Sequence, residues 1–309
     1  MSNSLIIDCD PGVDDCVALL LAFASPELEI LAVTTVAGNV GAQLTARNAR
    51  IIRQIAGRED VPVHAGAERP LVRIPVEAGH FHGESGLGDL APFEPEAPAE
   101  AEPSADAIVR RVRERPAGTV AIGALGPLTN VALALQAAPD IAGRIKQIVL
   151  MGGARSEGGN ITASAEYNIH ADPHAAQVVF ESGAPTVVMG LDLTHQVRAT
   201  DARTARLRAA NNPRAETALR MMDFSNDIER GLVGGEAAPL HDPCVIAWLV
   251  RPDLFELRPA NIQVETESRL TLGHTAVEFR IGEAHPQNAR WGVSADADAV
   301  FGLLTERLS

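Results

Sequence analysis

The 309-residue chain is poor in cysteine, in basic charge and in long apolar runs, and each shortage removes a class of function. Three cysteines, Cys9, Cys16 and Cys244, form an odd set without C-x-x-C spacing. Neither a disulfide framework nor a zinc knuckle is expected, and each cysteine reads as a small buried hydrophobe. Lysine and arginine together number 26 against 40 acidic residues, giving a formal net charge of −14. Proteins that grip a phosphate backbone carry basic stripes, so no nucleic acid polymer is expected as a partner. No stretch of about 18 uncharged apolar residues is present, and the N-terminus lacks the basic, apolar and small-residue succession of a secretory signal. The expectation is a cytoplasmic protein with no membrane partner.

What the chain does contain is enough apolar material for a core, 46% of residues against 21% charged. Short Val- and Ile-rich runs such as "SLIID", "EILAVTTVAG", "GTVAIGAL", "QIVLMGG" and "PTVVMGLDL" alternate with helical patterns such as "VALLLAFAS", "LTARNARIIRQIAG", "NVALALQAA" and "HAAQVVFESG". Such alternation predicts βαβ units, and the near-continuous apolar strands predict helices on both faces. The fold class expected is α/β, an open, mostly parallel sheet flanked by helices, as a single domain over residues 1–309. Residues 91–107, rich in Pro, Ala and Glu, read as a solvated connection. Residues 198–240 read as helix and then loop, ending in glycines, one wall or lid of a cleft; "HDPCVIAWLV" then starts another helix.

Polar residues gather where strands are expected to end. Asp8 and Asp10 close the first, Asn39 follows the second, and Leu125, Gly126, Gly152 and Gly153 follow later ones, positions that line the crevice of an open parallel sheet. In "DCDPGVDDC" four aspartates, Asp8, Asp10, Asp14 and Asp15, fall within eight residues between apolar runs. The dipole of a helix starting near Asp14 offsets only about 0.3–1 kcal/mol per charge, too little for several crowded carboxylates. A divalent cation fits, and an all-oxygen donor set suits calcium or magnesium. Asp242 before Pro243 has the local pattern of a plain helix N-cap, and local spacing does not decide between cap and ligand. In "GGNITASAEYNIHADP", Asn160, Glu166 and Asn168 offer the donors and acceptors that vicinal hydroxyls need. "HFHGESGLG" sets His80 and His82 beside glycines, in what reads as a mobile loop.

The segments "DCDPGVDD", "TTVAGN", "GALGPLTN", "MGG", "NITASAEYNIHADP" and "HDP", in this order over nearly the whole chain, resemble the inosine-uridine preferring nucleoside hydrolases. The resemblance implies calcium-dependent cleavage of the N-glycosidic bond of ribonucleosides to ribose and free base. It implies Asp10, Asp15, Asp242 and the carbonyl of Leu125 as ligands of Ca2+, with Asp8 supporting the turn. Sugar and substrate contacts fall to Asp14, Asn39, Met151, Asn160, Glu166, Tyr167 and Asn168. Asp10, touching ion and water, becomes the general base, His241 the general acid, and His82 a residue that contacts the base or assists its protonation. His170, His174 and His195 are left as structural or surface residues. Relatives specialised for purines sandwich the base with tryptophans, whereas Trp248 and Trp291 lie elsewhere in this sequence. That points to the inosine/uridine or pyrimidine type. Tyr167 stands where phenylalanine is expected, and residues 221–236, expected in the base pocket, match no pattern. Relatives of this type are commonly homodimers or homotetramers.

Two other classes compete. "DCD" after a strand resembles the nucleophile loop of haloacid dehalogenase-type phosphatases, but Pro11 follows it and the chain's one lysine is Lys146. A non-catalytic nucleoside or ribose sensor would keep the acid cradle but needs no proton donor such as His241.

Overall fold

A computed structural model of the chain describes residues 3–233 and 237–309, with residues 80, 232 and 233 described by backbone alone. The glycines expected to release the chain after the 198–233 region, Gly234 and Gly235, and the end of the 221–236 segment lie outside the described residues.

Nine strands form one sheet: β1 (Asn3–Cys9), β2 (Leu28–Thr35), β3 (Val63–Ala65), β4 (Val120–Ala124), β5 (Ile145–Met151), β6 (Thr186–Met189), β7 (Phe255–Val264), β8 (Thr275–Glu278) and β9 (Ala289–Ala295). Their order is β3-β2-β1-β4-β5-β6-β9-β7-β8. The pairings from β3 through β6 to β9 are parallel; β7 runs antiparallel to both β9 and β8. The helices are α1 (Val13–Phe23), α2 (Ala42–Ala56), α3 (Gly79–His82), α4 (Ser104–Glu114), α5 (Thr129–Ala137), α6 (Tyr167–Ala171), α7 (Pro173–Glu181), α8 (Leu191–Thr194), α9 (Asp201–Arg208), α10 (Pro213–Val233), α11 (Pro243–Val250) and α12 (Ala297–Leu308). Among the described residues no helix is long and apolar enough to cross a membrane.

Strand periodicity builds the two cores. Leu5, Ile7 and Cys9 of β1 enter one apolar cluster with α1, α2, α10, α11 and α12, while Ile6 enters the other with α4, α5 and α7. Successive side chains of a strand point to opposite faces, so a strand covered on both sides is apolar at nearly every position. Helix ends follow local chemistry. Gly57, at φ 65°, closes α2 in the left-handed conformation that glycine adopts without strain. Asp172 caps α7 through Ala175 N–H at 3.0 Å, with Pro173 in the first turn.

From β1 the chain builds outward to β2 and β3 on one side, then returns to β4, β5 and β6 on the other. The connections therefore reverse direction beside β1, and the carboxyl ends of β1 and β4 flank the crevice that such a reversal leaves open. Two expectations are corrected. Residues 91–107 are not simply a solvated connection: α4 begins at Ser104, Glu100 bridges to His64, and Arg50 and Arg53 donate to the Ala97 carbonyl at 3.0 and 2.8 Å. The "HFH" segment is the short helix α3, not a loop.

Candidate active site

The crevice contains a cavity of about 370 Å³, within the usual range for small-molecule sites. Its floor comes from the chain just beyond β1, β2, β4 and β5, which delivers Asp10, Asn39, Leu125 and Met151. The loop before α6 adds Asn160 and Glu166, and the first turn of α6 adds Tyr167 and Asn168. Asp14 of α1, His82 of α3 and the His241–Asp242 pair before α11 complete the set expected from the sequence. Asp15 alone does not line the cavity. It lies fully buried beneath it, its carboxylate accepting from Gly12 N–H at 3.0 Å, Asp10 N–H at 3.1 Å and the Asn39 side-chain amide at 3.1 Å.

The backbone is shaped around these acids. A methyl group at Gly38 or Gly126 would overlap the Asp10 carboxylate, and one at Gly12 would strike His82 and Asn39. Asp10 Oδ2 accepts from Asn39 N–H at 2.8 Å, whereas Asp10 Oδ1 is buried with no hydrogen-bond donor. Oxygens of Asp14, Asp15 and Asp242 lie within 4.8 Å of one another. This trio contains Asp14 in place of Asp10. Asp242 occupies the N-cap position of α11, but its carboxylate makes no capping bond and reaches toward Asp15 instead. The plain-cap reading of Asp242 is thereby removed.

Burial pushes these carboxyls up. Asp15 rises to about 7, while Asp10 and Asp242 go well above the usual carboxylate range because neighbouring acids add to the burial. Among the described residues neither arginine nor lysine lines the cavity to offset them. Crowded buried carboxylates, an orphaned oxygen and an all-oxygen donor set together fit a hard divalent cation. The Leu125 carbonyl, turned into the same space, accepts from the Asn168 amide at 2.7 Å. That amide also donates to the Met151 carbonyl at 3.2 Å, so Asn168 ties the ends of β4 and β5 together.

Glu166 is both lining and brace. Its carboxylate accepts from the N–H groups of Gly153, Asn168 and Ile169 at 2.9, 2.8 and 3.2 Å, and burial still raises it to about 7. Asn160 accepts from Tyr167 N–H at 2.9 Å, and the Tyr167 hydroxyl donates to the Val76 carbonyl at 2.8 Å. Asp8 faces away with Ile6, accepting from Thr34 at 2.7 Å and Asn130 at 2.8 Å, and does not line this cavity.

Histidines face the acids. His82 Nδ1 accepts from Val13 N–H at 3.2 Å, which assigns the ring proton to Nε2. His241 Nδ1 pairs with the Thr194 hydroxyl at 2.8 Å. His241 keeps some exposure to the cavity, yet its enclosure by protein pushes the imidazole down to about 4, with Asp14 as the main opposing influence. Sequence reasoning missed several lining residues. His195, read as surface or structural, borders the cavity with its ring 5.8 Å from that of His241 and bonds Glu157 at 2.9 Å. Phe81 of α3 also lines it, as do Ser225 and Glu229 of α10, which fall in the 221–236 segment expected in the base pocket though no residue there was singled out. A phosphatase reading loses its cation, because Lys146 bonds Asn3 at 2.8 Å on the exposed surface and does not line the cavity.

Comparison with known proteins gives a consistent result. The family model described as inosine-uridine preferring nucleoside hydrolase matches residues 5–302. An uncharacterized protein of Schizosaccharomyces pombe is 46% identical over 305 residues, covering 98% of each chain. The pyrimidine-specific ribonucleoside hydrolase RihA of Salmonella gallinarum is 42% identical over 312 residues, covering 100% of this chain and 99% of its own. The solved purine-preferring ribonucleoside hydrolase from Gardnerella vaginalis superposes with a TM-score of 0.92 at 33% identity, covering 99% and 98% of the two chains. With one family matched from β1 into α12, and with these acids and histidines meeting where its sheet reverses, the chain belongs to the inosine-uridine preferring nucleoside hydrolases and is an N-ribosyl hydrolase.

Proposed function

We propose that the chain hydrolyses ribonucleosides to ribose and free base in a calcium-dependent reaction, with Asp10 as general base and His241 as general acid. The observation that carries this reading is the convergence of Asp14, Asp15 and Asp242, with oxygens within 4.8 Å of one another, at a cavity that Asp10 and His241 also line. Asp10, Asp15 and Asp242 with the Leu125 carbonyl would hold the ion, and Asp14 is close enough to join them. When bound, calcium supplies a hard positive charge that offsets the acids and polarises sugar and water oxygens.

Cleaving the bond from ribose to base builds positive charge on the sugar and negative charge on the base. The acids favour the first. Asp10 Oδ1 has no donor of its own and is the atom placed to take a proton from the attacking water, while Asn39 N–H fixes Oδ2. Asp14, Asn39, Asn160, Glu166 and Asn168 orient the ribose hydroxyls, and Met151 and Tyr167 shape the space around them. At the other end, Thr194 holds His241 Nδ1, leaving Nε2 to hand a proton to the departing base. Enclosure makes the imidazolium a strong acid; Asp14 and the charge growing on the base favour its formation. His82, donating from Nε2, contacts the base.

Neither Trp248 nor Trp291 lines the cavity, so no tryptophan sandwich forms there. Together with the 42% identity to a hydrolase named pyrimidine-specific, this supports the inosine/uridine or pyrimidine type. The test is ribose release from uridine, inosine and a nitrophenyl riboside, with and without a calcium chelator. All three are expected to be cleaved, and the chelator to stop them. His241→Ala should slow uridine and inosine by about 10²–10⁴-fold and the nitrophenyl riboside, whose leaving group needs no proton, far less. Equal losses on all three would remove His241 from the acid role, and undiminished turnover in chelator would remove the metal.

A further inference from the structure

The cavity has two unlike halves. Its floor hangs from strand ends and carries the acids and amides already described; its outer wall includes α10, which is not part of the sheet. Ser225 and Glu229 lie four residues apart on α10, so they share one face, and both line the cavity. That face is fixed in position. Between them, Asn226 donates to the Ala199 carbonyl at 3.1 Å and accepts from Ala238 N–H at 2.6 Å, pinning α10 to the segments before α9 and before His241. Glu229 is half-buried, and among the described residues no donor engages its carboxylate.

We propose that Glu229 is a specificity-determining residue that selects nucleobases bearing an exocyclic amino group, preferring cytidine to uridine and guanosine to inosine. This rests on the nucleoside-hydrolysing reading above. The chemistry is that of matching donors to acceptors. An ionised carboxylate can only accept hydrogen bonds. Cytosine offers an amino donor at the edge where uracil offers a carbonyl oxygen, and guanine offers a ring N–H beside an amino group where hypoxanthine offers the ring N–H alone. The Glu229 carboxylate therefore meets a partner in one member of each pair and a second acceptor, or one donor fewer, in the other. The two comparisons hold ring size constant, so cavity volume does not enter.

The experiment measures kcat/KM for ribose release from cytidine, uridine, guanosine and inosine by the calcium-loaded full chain and by Glu229→Gln. Binding of cytidine and uridine by titration calorimetry forms a second readout. The parent is expected to favour the amino-bearing member of each pair by about tenfold or more, the discrimination typical of one well-placed polar contact. Glu229→Gln, which keeps the shape and adds a donor, should collapse or reverse those ratios. A parent that treats cytidine and uridine alike, or ratios unchanged in Glu229→Gln, would overturn the proposal. Ribose release from none of the four, with the cytidine-over-uridine binding ratio intact and lost in Glu229→Gln, would count against the hydrolytic reading and still support this one.

Discussion

Replacing Asp242 by asparagine should make the protein more stable without calcium and less responsive to it. The oxygens of Asp14, Asp15 and Asp242 lie within 4.8 Å of each other. Two like charges at that separation repel by about 3.5 kcal/mol at an effective dielectric of ~20. Asp242 takes part in two such pairs, but proton uptake by these buried carboxyls relieves most of the cost, leaving about 2–3 kcal/mol for the substitution to recover. The introduced amide does not go unpaired, because the Asp15 carboxylate is already within hydrogen-bonding reach. With an unfolding entropy of roughly 2 cal/mol/K per residue, that gain raises Tm by about 3–5 °C in chelator. Calcium at a hundred times its Kd stabilises the parent by about 2.7 kcal/mol, a similar rise, and the variant by much less. Differential scanning calorimetry in chelator and in calcium reads both effects. A variant less stable than the parent in chelator, or one gaining as much from calcium, would refute the reasoning that these acids are assembled against their own repulsion to hold a cation.

Two further substitutions separate the remaining parts. Thr194→Val removes the hydroxyl paired with His241 Nδ1; kcat on uridine should fall about tenfold, corresponding to one hydrogen bond of roughly 1–1.5 kcal/mol, with little change on the nitrophenyl riboside. Gly126→Ala places a methyl group against the Asp10 carboxylate. It should cost about 1–3 kcal/mol of stability by urea titration and weaken the calcium-induced rise in Tm, whereas an unchanged calcium response would separate Asp10 from the ion.

The sheet and its acid floor were legible because they are written in local sequence. Continuous apolar strands identify themselves, and a polar residue directly after such a strand can only emerge at its carboxyl end, where Asp10, Asn39 and Leu125 are found. Asp242 was legible by family resemblance alone, since "HDP" has the local form of a cap and only the packing of α11 turns its carboxylate toward Asp15. Residues 91–107 misled because their composition is that of a solvated linker. The arginines that gather in its carbonyls, Arg50 and Arg53, belong to α2, more than forty residues earlier. Thr194 and His195 gave no signal at all, while Ser225 and Glu229 lay in a segment expected in the base pocket whose pattern singled out no residue. Polar residues on short or amphipathic helices are ordinary on a solvated surface, and their approach to the cavity depends on how α8 and α10 pack.

Asn226, pinned at both ends of its amide between α10 and its neighbours, has a consequence for how such a catalyst can change over time. The acids proposed to serve the bond-breaking step are rooted in the interior, where almost any alteration disturbs folding. Ser225 and Glu229, one residue before Asn226 and three after it, line the cavity and are only half-buried. On the proposal made for Glu229, taste for a new nucleobase is altered by exchanging half-buried side chains on a clamped strut, while the acids at the strand ends stay as they were.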